Sequence, residues 1–262
     1  MEYGLIRFNS ALVIAAVMVN VAAFVAAALA LHELSRKVLR DEYLAYKSAL
    51  LFCVNPASVF FTAAYSESLH AAVTFLVMLK IEKGFSFQMA TVLALSTAVR
   101  SNAILNLGFI FYKGLRVVAK EIAIHNRLKQ LQQTEVSTTL ANIVGDGLVP
   151  TLFSGMGALL PFAAFQWYGF TQFCGLTKIG LDFSDDLQDY ARTKGYKLPS
   201  SEPSEWCANS MPLSYSYVQS HYWDVGFLRY YQLKQLPQFA LAAPILFLIF
   251  TQGRRFFCQH HR

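Results

Sequence analysis

Charge is scarce in this chain: 15% of its residues are Asp, Glu, Lys or Arg, against about a quarter in soluble globular domains. Gly-rich phosphate loops, Walker sequences and nucleophile elbows are all missing, which leaves no sequence basis for a nucleotide-binding or serine-hydrolase fold. The chain has four cysteines but no Cys-x-x-Cys pair, so the common zinc and dithiol patterns are excluded. No Asn-x-Ser/Thr sequon occurs, and glycosylation therefore cannot report which side of a membrane a segment occupies. Internal repeats, heptad arrays and low-complexity tracts are absent too.

What is there is apolar. Hydrophobic residues make up 55% of the chain and the mean hydropathy is +0.38. Residues 11–31 run twenty-one positions without a charge, and at about 1.5 Å per residue they span a hydrocarbon core of roughly 30 Å. A signal peptide is the alternative, but its apolar core is usually ~7–15 residues, and no Ala-x-Ala site precedes a soluble domain here. Further apolar stretches cover residues 44–79, 87–112, 148–173 and 237–251. They do not alternate as barrel strands would, so the expected class is all-α, a polytopic helical membrane protein.

Lysine and arginine in the connections indicate orientation, because they concentrate on the cytosolic side. Arg36, Lys37 and Arg40 follow the first span; Lys113, Arg116, Lys120, Arg127 and Lys129 follow the third; Arg254, Arg255 and Arg262 close the chain. All three groups can be cytosolic if residues 44–79 make one net crossing, as a span interrupted at Asn55-Pro56 followed by a tilted or interfacial helix. Lys80 and Lys83 count against this parity. The expected layout is then transmembrane helices over 1–171 with a cytosolic connector at 113–147, a luminal loop over 172–236, and a last span with a basic tail over 237–262. The pI near 9.1 reflects basic cytosolic loops and calls for no nucleic acid. Cys174 and Cys207 share the luminal loop and can pair in an oxidising compartment, two free thiols being the alternative.

Polar residues inside apolar runs carry most of the chemical information. Pro56 removes a backbone donor and disfavours helix at Asn55, so nearby carbonyls need other partners, which Asn55 can supply. Glu67 places a carboxylate at membrane depth, where such groups normally face a bundle interior or a water-filled cavity; at the luminal boundary it would need no function. Arg100 lies fourteen residues into its apolar stretch, followed by Ser101 and Asn102, too deep to snorkel readily. It requires a partner: either an ion pair with Glu67, or a lipid-linked phosphate whose oxygens match the guanidinium fork.

Weaker signals are also present. Glu67 and His70 form one Glu-x-x-His copy, half of a di-iron arrangement, with no second copy. Asp182, Asp185, Asp186 and Asp189 read as a solvated acidic loop before a divalent-cation site. Tyr215, Val218, Tyr222 and Val225 fall at helical spacing, with Trp223, Phe227, Tyr230 and Tyr231 beside them. That segment can anchor in the headgroup layer, or, with Asp224, form a platform for a sugar.

The segment 51–69, which includes Asn55, Tyr65 and Glu67, together with Gly84 and Val99-Arg100-Ser101-Asn102, resembles the PIG-V family of glycosylphosphatidylinositol mannosyltransferases. The resemblance continues through Leu160-Pro161-Phe162-Ala163, Tyr168-Gly169-Phe170-Thr171-Gln172-Phe173-Cys174, Trp206-Cys207, the segment 212–219 and the segment 225–231. It covers nearly the whole chain, in order, apart from the connector 120–147.

The resemblance implies a GT-C type multi-span glycosyltransferase of the endoplasmic reticulum membrane. Such an enzyme adds the second mannose to the growing anchor from dolichol phosphate mannose, uses no cofactor, and works by inverting displacement with a carboxylate as general base. Expected partners are membrane lipid, dolichol phosphate mannose, the glycosylphosphatidylinositol intermediate and a small membrane subunit. Substrate-binding candidates are Asn55, Tyr65, Glu67, Arg100, Asn102, Trp223 and Asp224; no metal ligand is expected. The family's acidic Trp-Asp loop after the first span has no counterpart in residues 1–11, and its C-terminal spans are missing. The chain is therefore expected to be a partial GT-C bundle, catalytically incomplete, with no catalytic residue assigned and the base not transferred to Asp224. A noncatalytic membrane partner of the same pathway is the main alternative; a transporter should show related halves, and none appear.

Overall fold

The computed structural model describes residues 2–55, 58–130, 141–175, 183–199, 204–226, 228–229 and 231–260. It is helical, with no strand among the described residues, and divides into two compact units, Met1–Phe165 and Gln166–Arg262. Among the described residues three helical stretches are long and apolar enough to cross a membrane: Ser10–Leu39, Ile143–Phe173 and Leu233–Arg255. Large apolar side chains cover their outer faces, such as Met18 and Leu241, a surface suited to lipid and unsuited to water. The protein is a multi-pass helical membrane protein.

The first unit opens with α1, Glu2–Leu39, which packs along α2, Glu42–Cys53, and α4, Glu67–Lys83. The buried stripe of α1 is small: Asn20, Ala23, Ala27 and Ala30 share one face. Lipid tails are as apolar as leucine, so helices associate there by close backbone approach over small residues rather than by burying large ones. Arg40 turns the chain after α1 in the left-handed region (φ 54°), its N–H donating to the Arg36 carbonyl at 3.1 Å. Asp41 then caps α2, its carboxylate accepting from the Leu44 N–H at 3.0 Å.

After α2 the helix stops and restarts as α3, Ser58–Thr62, and again as α4. The Asn55 carbonyl accepts from the Ser58 N–H at 2.8 Å across this interruption. One phenylalanine from each neighbouring helix braces it: Phe24 (α1), Phe52 (α2), Phe61 (α3) and Phe75 (α4), with ring centroids 5.2 to 5.5 Å apart. Tilted and edge-on ring packing of this kind adds directional attraction to area burial. It holds α2 and α3, of 12 and 5 residues, whose own lengths would not hold them.

Residues 87–112, apolar as a run, do not form one helix. Helix α5, Phe87–Val99, ends where Arg100 becomes extended (φ −150°, ψ 135°); a 3-10 segment, Ser101–Asn106, follows and then α6, Leu107–Gln130. The polar triplet Arg100-Ser101-Asn102 is the physical reason, since its groups gain partners or solvent only by leaving the helical path. Residues 113–130, read from sequence as the start of a connector, continue α6 as helix. The core lies among Val77, Ile81, Met89, Leu93, Ile110 and Ala158. A π-helical turn, Ile143–Leu148, leads into α7, Val149–Phe173, which meets α6 where Gly114 lets Thr151 approach its backbone.

The second unit begins with the last turns of α7. Cys174 and Cys207 are joined by a disulfide, with Cα atoms 5.6 Å apart. Trp206 beside it is buried against Phe170. Helix α8, Asp185–Lys194, places Asp185 and Asp186 in its first turn, where the helix dipole favours carboxylates, and ends at Gly195 in the left-handed conformation. Asp182, Phe227 and Tyr230 lie outside the described residues. Helix α9, Ser214–Tyr222, and the apolar α10, Leu236–His260, complete the unit.

Candidate functional site

The doubly interrupted entry to α4 sets the position of Glu67. Ser68, fully buried, donates its hydroxyl to the Phe61 carbonyl and so ties the end of α3 to the start of α4. Glu67 is the first residue of α4, where unpaired backbone N–H groups favour a carboxylate. Arg100, at the end of α5, is extended, and its guanidinium donates to Glu67 Oε1 at 2.5 Å. Both side chains are about one-third exposed, at 32% and 33%. The ion pair considered from sequence is therefore formed.

The pair does not use all the polar atoms around it. Glu67 Oε2 and His70 Nδ1 are buried and make no hydrogen bond among the described residues. Buried polar atoms are nearly always partnered, so two orphans beside one ion pair mark a place with capacity for a polar ligand. Arg100 commits one donor of its fork to Glu67. A charged, hydroxyl-rich or phosphate-bearing group can take up the rest.

The other sequence candidates distribute as follows. Tyr65 precedes Glu67 by two residues, is exposed, and packs its ring edge-on to Phe60 at 6.1 Å. Asn102, two residues after Arg100, is exposed on the 3-10 segment. Asn55 is half-buried one interruption earlier and contributes its backbone carbonyl to the turn. The start of α4 and the end of α5 meet through Glu67 and Arg100, and Tyr65 and Asn102 each stand two residues from that pair in the chain. Among the described residues no three of His, Cys, Asp and Glu converge as a metal site.

Trp223 and Asp224 belong to the second unit. Trp223 is 71% exposed, and Asp224 sits in the left-handed region (φ 50°) with its carboxylate 3.4 Å from the Arg229 guanidinium. Next to them, His221 stacks on Tyr217 at 5.0 Å and meets Tyr222 edge-on at 4.8 Å. Burial first, then the Glu205 carboxylate and Tyr222, hold the Tyr217 phenol above its ordinary range.

Sequence reasoning missed two groups. Gln166 is buried, and its Oε1 accepts from the Ser214 hydroxyl at 2.8 Å and the Tyr215 N–H at 3.2 Å, so one amide anchors the start of α9. Its signal was a glutamine inside an apolar run. Asn106, also buried, donates to Thr74 Oγ1 at 3.3 Å and ties the 3-10 segment to α4. Its signal was a second asparagine one turn after Asn102.

The chain is 38% identical over 247 residues to the human GPI alpha-1,6-mannosyltransferase 2, an overlap of 94% of this chain and 47% of the relative. It is 34% identical to the GPI mannosyltransferase 2 of Drosophila melanogaster, covering 91% of this chain and 50% of the relative, and 28% identical to that of Schizosaccharomyces pombe, covering 84% and 40%. It spans about half the length of these relatives. No solved structure matches it significantly. The family described as mannosyltransferase (PIG-V) matches residues 2–261, and the chain belongs to that family.

Proposed function

We propose that the protein takes part in adding the second mannose to a glycosylphosphatidylinositol precursor in the endoplasmic reticulum membrane, with dolichol phosphate mannose as donor. The family match supports the reaction class. The observation that carries the site is the 2.5 Å Arg100–Glu67 pair with two orphaned polar atoms beside it. In this reading Arg100 meets the phosphate that leaves as the acceptor oxygen attacks C1 of mannose. The C1–O bond to phosphate breaks, its electrons stay on the phosphate, and a general base takes the acceptor proton. Glu67 positions Arg100 through its Oε1, and the base is assigned to no residue of this chain. The basic ends of the spans lie on the cytosolic side, which leaves the disulfide-bonded segment in the lumen, the compartment where disulfides persist.

A second reading, a noncatalytic membrane subunit that holds the same lipid intermediate, is favoured by one observation: the one carboxylate of this site is held in an ion pair. Expression of the chain in cells that lack the second mannosyltransferase separates the two. Microsomes receive labelled dolichol phosphate mannose, and the glycolipids are resolved. A precursor extended by one mannose supports transfer. Co-purification of the unextended precursor without extension supports the subunit, and the absence of both results refutes both readings.

A further inference from the structure

At the other end of α4 the first unit contains a groove of about 860 Å³. Glu82, which borders it, is fifteen residues beyond Glu67, roughly 22 Å along the helix. One wall is a stripe of α1, Leu31, Leu34, Val38 and Leu39, repeating at helical spacing. Met78 and Ile81 of α4 floor it. The opposite wall is α6, which touches α4 only over a short stretch and leaves a gap towards α1.

The α6 wall changes character along its length. Phe109 and Tyr112 come first, then Lys113, Arg116 and Lys120 on the same face. An apolar trough thus opens onto three cations and one carboxylate. None of the three cations joins an ion pair among the described residues. Burial pulls the Lys113 ammonium below its ordinary range; Glu82 opposes this and Arg116 adds to it. The positive charge there is short of a counter-ion.

We infer that this groove binds an anionic glycerophospholipid of the leaflet on the basic side, with acyl chain against Leu34, Val38 and Phe109 and headgroup phosphate between Lys113, Arg116 and Lys120. The charge order along α6 matches the order of a lipid, tail first and phosphate last. A purely apolar segment would satisfy the trough but leave the cations unmatched. A free anion would satisfy the cations but not the trough. Neither feature depends on the proposed chemistry at Arg100.

The test is photolabelling of the whole chain in phosphatidylcholine vesicles, with phosphatidic acid carrying a diazirine in its acyl chain as the probe. The same diazirine on phosphatidylcholine is the comparison. Peptides covering residues 31–39 and 109–117 are expected to label about tenfold more with the anionic probe, since basic side chains near a lipid surface favour anionic headgroups. Lys113→Gln, Arg116→Gln and Lys120→Gln together abolish the preference. Leu34→Trp, which fills the trough and leaves the charges intact, lowers labelling by both probes. Equal labelling by the two probes, a preference that survives the triple variant, or labelling confined to other segments overturns the inference. No labelling by either lipid does so too.

Discussion

Arg100 reaches back thirty-three residues in sequence to bond Glu67, joining the extended end of α5 to the first residue of α4. This one contact explains why the apolar run 87–112 breaks where it does. An arginine left in a continuous helix at membrane depth would have no partner, and an unpaired charge there costs several kcal/mol. Leaving the helix costs less, because Ser101–Asn106 recovers local 3-10 bonds.

Charge reversal at this pair separates packing from function. Glu67→Arg or Arg100→Glu alone places like charges together and is expected to lower stability by about 1–3 kcal/mol, discounted for partial exposure. The double reversal restores the pair. If Arg100 meets a phosphate, the restored fold still loses mannose transfer by about 100-fold, the scale set by one donor to a developing anion. Thermal unfolding in detergent and microsomal transfer are the two readouts, and recovery of both reduces the pair to a structural role.

How much of this was legible beforehand follows from the range of each interaction. The long span at residues 11–31, the interruption after Asn55 and the cost of Glu67 and Arg100 come from local composition, where a breaker or a charge in an apolar run stands out. The split at Arg100 depends on a partner thirty-three residues away, and the α9 anchor on a Gln166–Ser214 bond across forty-eight. Periodicity carries no information at such distances. The cations of the groove were visible as a basic connector, but their alignment with the α1 stripe exists only once α6 is helical and packed.

The α9 anchor has a steric companion. A Cβ on Gly169 would stand 2.9 Å from the Ser214 hydroxyl oxygen that bonds Gln166. Gly169→Ala is expected to gain about 1 kcal/mol of helix propensity yet lose about 1–3 kcal/mol by displacing that hydroxyl. Ser214→Ala removes the obstructing oxygen, so the double variant should be more stable than the sum of the singles. A cycle of thermal unfolding measurements gives the coupling, and simple additivity would show that the two positions are independent.

The disulfide closes a sequence separation of 33 residues, and loop-closure entropy at that length is worth about 3–4 kcal/mol. Cys174→Ser, Cys207→Ser or reduction should therefore loosen the segment that holds Trp206 and the start of α9. Limited proteolysis with and without reductant is the check: cleavage between 174 and 207 should quicken markedly, while the α1–α2 region stays resistant. Equal cleavage in both conditions would mean that Trp206 packing alone holds the segment.

Two positions on α1 test the idea that small residues, not large ones, bring the helices of the first unit together. Ala27 is fully buried in the small-residue stripe of α1, and Leu29 is 66% exposed. Ala27→Leu inserts three carbons where backbones approach closely and is expected to destabilise by about 1–3 kcal/mol. Leu29→Ala removes three carbons from a face that meets lipid and should change stability by only a few tenths of a kcal/mol. A water-soluble core would rank the two substitutions the other way, because deleting a packed leucine there is the costlier change. Detergent-solubilised thermal unfolding of the pair therefore distinguishes a lipid-facing α1 from one whose large residues are packed in protein.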